Sequence, residues 1–140
     1  MIDVDIARRL QRAGLVWAPA DGDLFVIDNE QLREQPFMLS SMVIETGRAR
    51  SGLPVFRFNG TTEWALDSVE LDEAVWLPRE DQLRAALGDA FGALRRREDG
   101  GYVVELATGE GPADGGSVRE IPAPSAQEAL AGALLVHLTR

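Results

Sequence analysis

"REDQLRAALGDAFGALRRR", residues 79–97, decides how the second half of this 140-residue chain folds. Leu83, Leu87, Ala90, Phe91 and Leu94 recur at helical spacing and draw one apolar stripe. Ahead of the stripe, Pro78, Glu80 and Asp81 suit a helix N-terminus. Behind it, Arg95, Arg96 and Arg97 suit a C-terminus, where positive charge meets the last carbonyls. The pattern predicts one helix over 79–97, stopped by Gly100-Gly101.

Moving outward towards the C-terminus, "YVVEL" and "SVREI" read as strands on either side of the glycine-rich loop "ATGEGPADGG". "APSAQEALAGALLVHL" opens with Ser125-x-x-Glu128, a capping box, so a second helix starts there. Residues 79–140 therefore read helix–strand–strand–helix.

Towards the N-terminus, "EAVWLP" reads as a strand ended by Pro78. "FMLSSMVIET" and "PVFRFN" read as a hairpin around "GRARSGL", with Asn59-Gly60 turning the chain afterwards. "LVWA" and "DLFVID" read as short strands around an Asp21-Gly22 turn, and "NEQLREQ" as one helical turn. Residues 3–13 predict a helix capped by Asp3 and ended by Gly14, with Ile6, Leu10 and Ala13 on one face. All three tryptophans and four of the five phenylalanines precede Pro78. The expected class is α+β: one compact domain over 1–140, with a β-rich aromatic part (1–78) packed with an αββα part (79–140).

Composition narrows the chemistry. Hydrophobic residues make up 45% and charged residues 26%, the balance of a soluble globular protein. Without cysteine there is no disulfide, thiolate nucleophile or zinc-thiolate site. All fourteen basic residues are arginine, so no lysine can form a Schiff base or serve a phosphate loop. The net charge is −9, and acids outnumber arginines both before and after residue 79. An acidic chain must concentrate its arginines to hold phosphates, which argues against nucleic acid. The longest apolar run is too short to span a bilayer, and the N-terminus lacks a secretory pattern, so the expected location is cytoplasmic.

Catalytic motifs are missing. No GxxxxGK[ST], GxGxxG or GxSxG occurs, and the lone His137 shares a helix face with Leu130, Ala133 and Leu134. Its expected state is a partly buried histidine rather than a base. Carboxylates are the remaining candidates. Were Thr62 to cap a short helix, Glu63 and Asp67 would project from one face, and with Asp21, Asp23 or Asp28 they could hold a hard cation or act as an acid–base pair. The plainer reading makes Glu63 part of a cap and sends Trp64 into the core. Trp17, Trp64 and Trp76 are the candidates for lining a ligand site.

"WAPADGDLFVI", "FNGTTEWALDSV" and "WLPREDQLRAALG" resemble a set of small proteins from GC-rich actinobacteria and their relatives. Some of those carry a pilus-assembly label. The resemblance covers most of residues 1–90. The second half, ending "APSAQEALAGALL", is similar in pattern to small phage-type α/β sandwich domains, where a hairpin precedes an alanine-rich helix. Neither resemblance implies a catalytic residue. The functional expectation is a non-enzymatic protein without a cofactor, acting through a protein partner or a small ligand. The alternative is a metal-dependent hydrolase using Glu63 and Asp67.

Overall fold

The computed structural model describes residues 1–30, 32–39, 44–48, 54–58, 68–70, 74–109 and 117–139. In chain order these form α1 (Val4–Arg12), β1 (Leu24–Ile27), β2 (Phe37–Met38), β3 (Ile44–Arg48), β4 (Pro54–Phe58), β5 (Ser68–Glu70) and β6 (Ala74–Leu77). There follow α2 (Glu80–Leu87), a 3₁₀ turn (Gly88–Ala90), β7 (Phe91–Arg96), β8 (Tyr102–Ala107), β9 (Val118–Ala123) and α3 (Ala126–Leu138). The class is α+β, with three antiparallel sheets ordered β2-β1-β6, β3-β4-β5 and β7-β8-β9 among the described residues. Internal contacts divide the chain into two units, residues 16–77 and residues 1–15 with 78–140. Helix α1 thus groups with the C-terminal elements. No helix among the described residues is long and apolar enough to cross a membrane.

In the unit formed by 1–15 and 78–140, α3 is the centre. Its sequence is apolar on nearly every side, so it needs neighbours all round. It has them in α1, α2, β8 and β9. Ala129, Leu130, Ala131, Ala133 and Leu134 are fully buried, and each leucine contributes roughly 1.5–3 kcal/mol by leaving water. The predicted N-cap at Ser125 forms, with Glu128 N–H donating to Ser125 Oγ at 3.1 Å; Glu128 Oε2 accepts from the Ser125 hydroxyl at 3.1 Å, where a full capping box would use the backbone N–H. At α1, Asp3 Oδ1 accepts from Asp5 N–H at 2.7 Å, and Ala7 and Leu10 supply the buried face. His137 lies partly buried in the last turn of α3.

The expected helix over 79–97 is half right. Its start holds: Arg79 N–H donates to Gln82 Oε1 at 2.9 Å, and Leu83 and Leu87 are buried. The Arg79 guanidinium, donating to Asp81 Oδ1 at 3.2 Å, holds that carboxyl below its ordinary range. Then Gly88 takes φ +56° and breaks the helix. Residues 91–96 leave as strand β7, so αββα becomes α-β-β-β-α. The stripe misleads because residues 90–94 are apolar on both periods. The arginines close no helix; they lead into a hairpin. Gly100 N–H donates to Arg97 C=O at 3.1 Å and Arg97 N–H to Gly101 C=O at 2.7 Å, around an Asp99-Gly100 turn.

In the unit formed by 16–77, β1 is central in its sheet, with Phe25 opposite both Phe37 and Trp76. Phe25, Ile27, Leu39 and Ala74 form a buried cluster, and Trp17, Leu32 and Phe37 pack against it. "NEQLREQ" gives the expected turn, with Arg33 N–H donating to Asn29 C=O at 2.9 Å. Two strand readings need correction. "LVWA" is not a strand: residues 15–20 hold no regular element, Pro19 following directly, and Trp17 is held through its side chain by Asp23. "FMLSSMVIET" is split, its start pairing with β1 as β2 and its end with β4 as β3. The β3–β4 hairpin is antiparallel as expected, with Thr46 opposite Phe56, and β5 adds a third strand.

Candidate functional site

The sheet β7-β8-β9 has two unlike faces. Val104 and Leu106 are fully buried on the face turned to the helices. A Cβ built on Gly132 of α3 would lie 3.2 Å from Ile121 Cγ2, directly across from Val104, so α3 lies tight on β9 there. Alternation then sends Ala93 and Arg95, Val103 and Glu105, and Val118, Glu120 and Pro122 to the opposite face.

That second face carries the exposed charged side chains of Arg95 and Glu120 around Val103, which is only 5% exposed. Arg95 sits between two carboxylates: its Nε lies 3.0 Å from Glu105 Oε1 and its Nη2 lies 3.1 Å from Glu120 Oε1. One turn further, Arg97 Nη2 lies 3.3 Å from Asp99 Oδ2, while Asp99 Oδ1 accepts from Gly101 N–H at 2.9 Å. The side chains of Arg95 and Glu120 are 51% and 63% exposed, so these pairs add little stability. Their effect is geometric: they hold long side chains in one arrangement across three strands. Two shallow depressions of about 480 Å³ and 330 Å³ lie along this face and share Arg97 and Pro122. The larger is floored by Pro122, Ala123 and Pro124 beside the Gly100–Gly101 backbone.

Arginine stays protonated at neutral pH and shuttles no protons. This face can bind and orient polar groups through Arg95, Arg97 and the carboxylates beside them.

The tryptophan candidates take a different place. Trp17 and Trp76 stack, with ring centroids 6.3 Å apart and planes 8° from parallel. Trp17 also meets Phe25 at 5.7 Å, and Phe25 meets Phe37 at 5.7 Å. Asp23, only 2% exposed, anchors the group: its Oδ2 accepts from Trp17 Nε1 at 2.9 Å and from Ala20 N–H at 3.0 Å. A carboxylate oxygen already facing two N–H donors is a poor cation ligand, and Asp28 lies 3.3 Å from Arg33 Nε. Among the described residues no three His, Cys, Asp or Glu side chains gather as a metal site. Glu63, Trp64 and Asp67, with the cap proposed for Thr62, lie outside the described residues.

Trp76 differs from Trp17 in one respect. Its Nε1 is buried and has no acceptor among the described residues. A buried donor without a partner costs about 1–3 kcal/mol. Trp76→Phe keeps a stacking ring and deletes the orphan donor, so its melting temperature is expected at or above the parent's. Trp17→Phe, which strips a donor from Asp23, is expected below it. Calorimetry on the two variants checks the order, and a large loss in Trp76→Phe would mean that its N–H is satisfied after all.

A helix ending at Arg95, Arg96 and Arg97 would scatter these arginines around its axis; only a strand brings Arg95 and Arg97 to one face. The Asp99-Gly100 turn between two apolar runs was the signal for it. Compared with known proteins, the chain matches no family model, no curated protein and no solved structure.

Proposed function

We propose that this chain is a non-enzymatic binding protein and that the open face of β7-β8-β9 is its contact surface. One observation carries the reading. A sheet sealed by helices on one side presents, on the other, a fixed Glu105–Arg95–Glu120 bridge beside two adjoining depressions. Exposed charge pairs that add little to stability suit recognition, where polar complementarity selects partners. The stacked tryptophans, joined to the core through Phe25 and Asp23, serve the fold in this reading.

The test is a set of charge variants measured against the partner that the parent protein captures. Arg97→Glu and Glu120→Arg are surface changes, expected to shift stability by no more than about 0.5 kcal/mol. They are expected to weaken capture at least tenfold by isothermal titration. Capture that ignores both variants but is lost in Trp17→Phe would move the site to the aromatic group. Turnover in a substrate screen would remove the non-enzymatic reading.

A further inference from the structure

The outer edge of β9 is a place where a second strand could add, and its ladder phase shows what stands there. Thr108 N–H donates to Ser117 C=O at 3.0 Å, so that pair is hydrogen-bonded in the antiparallel ladder. Stepping by two along the register, Arg119, Ile121 and Ala123 direct their backbone groups to β8. Val118, Glu120 and Pro122 therefore direct theirs outward. Val118, Arg119, Glu120 and Pro122 are exposed, and β9 has no further strand neighbour among the described residues.

An edge of this kind is a template for pairing with another chain. Here the third outward position is proline, which has no N–H to donate and whose ring occupies the space an incoming strand needs. The other edge is interrupted too. The register of β7 shifts between Phe91 and Ala93, a bulge at Gly92, and the rest of that strand ends in arginines.

We infer that Pro122 closes the outer edge of β9 to strand addition, so that copies of this chain do not join sheet to sheet through it. Pro122 also lines both depressions of the proposed contact face, but the inference concerns its backbone edge and is read by self-association of this chain alone.

Pro122→Thr restores the missing donor with a residue that favours strands. Sedimentation velocity over a concentration series is expected to show new self-association, tighter than the parent's by roughly tenfold, the effect of one added hydrogen bond. A folded Pro122→Thr variant that sediments as the parent does would overturn the inference. Should the variant not fold, amide hydrogen exchange on the parent decides. The outward amides of Val118 and Glu120 are expected to exchange much faster than those of Arg119 and Ile121. Protection at Val118 and Glu120 equal to that of their neighbours would show the edge already paired, and the inference would be wrong.

Discussion

Gly92→Ala is expected to destabilise the protein by about 2–3 kcal/mol, the upper part of the range for forcing a methyl into a filled space. A Cβ at residue 92 would lie 2.8 Å from the Glu105 carbonyl oxygen and 3.4 Å from Glu105 Cβ. The neighbour is backbone of the central strand, so it cannot swing aside as a side-chain tip would. Moving it disturbs Val104 and Leu106, both fully buried. The melting temperature should fall by roughly 6–9 °C for a chain of this size. The sign is what makes the measurement informative. In the helix that the apolar stripe suggests, Gly92→Ala would raise stability by about 1 kcal/mol. Gly88→Ala provides the companion: no atom lies within 4 Å of the added methyl, but φ is +56°. Its cost is expected to be smaller, about 1–2 kcal/mol, and to come from backbone strain alone. Stabilisation by either substitution would return residues 88–97 to a helix.

The same stretch shows where sequence reasoning reached and where it stopped. Caps were readable because they are local: Asp3, Ser125 with Glu128, and the entry to α2 each rest on residues within one helical turn. Strands bounded by proline or a glycine turn were readable for the same reason, as at β6 and β8. The end of α2 was not, because its stripe continues past Gly88 into residues that suit either period. Tertiary pairing with β8 then decides the matter, and no window of local sequence contains β8. The site failed with it. Arg95 and Arg97 share a face only if they alternate on a strand. Glu105 and Glu120 come within reach of Arg95 only once the register is set. Residue type alone marks the tryptophans; the stacking of Trp17 on Trp76 and the bond from the Trp17 indole N–H to Asp23 come only from the fold of 16–77.

Asp23→Ala is the second large effect. Asp23 sits where an irregular segment becomes β1, with its main chain tied at both ends: its N–H donates to Ala20 C=O at 3.1 Å and its C=O accepts from Leu39 N–H at 2.8 Å. Its side chain closes the same corner through Trp17 Nε1 and Ala20 N–H. Hydrogen bonds to a charged acceptor contribute about 1.5–3 kcal/mol each. Ala20 is exposed, so water can replace part of what its amide loses, whereas the indole N–H of half-buried Trp17 is harder to satisfy. The expected loss is therefore about 2–4 kcal/mol, with Trp17 fluorescence shifting to the red as its ring loosens. Asp23→Asn keeps an oxygen in place and is expected to lose about half as much. Pairing Asp23→Ala with Trp17→Phe in a double-mutant cycle should give a coupling of about 1–2 kcal/mol, as residues in direct contact do. A coupling near zero would mean that the carboxylate acts independently of the tryptophan. Asp23 would then regain its standing as a candidate for chemistry, because a buried charge with no structural task needs another reason to be there.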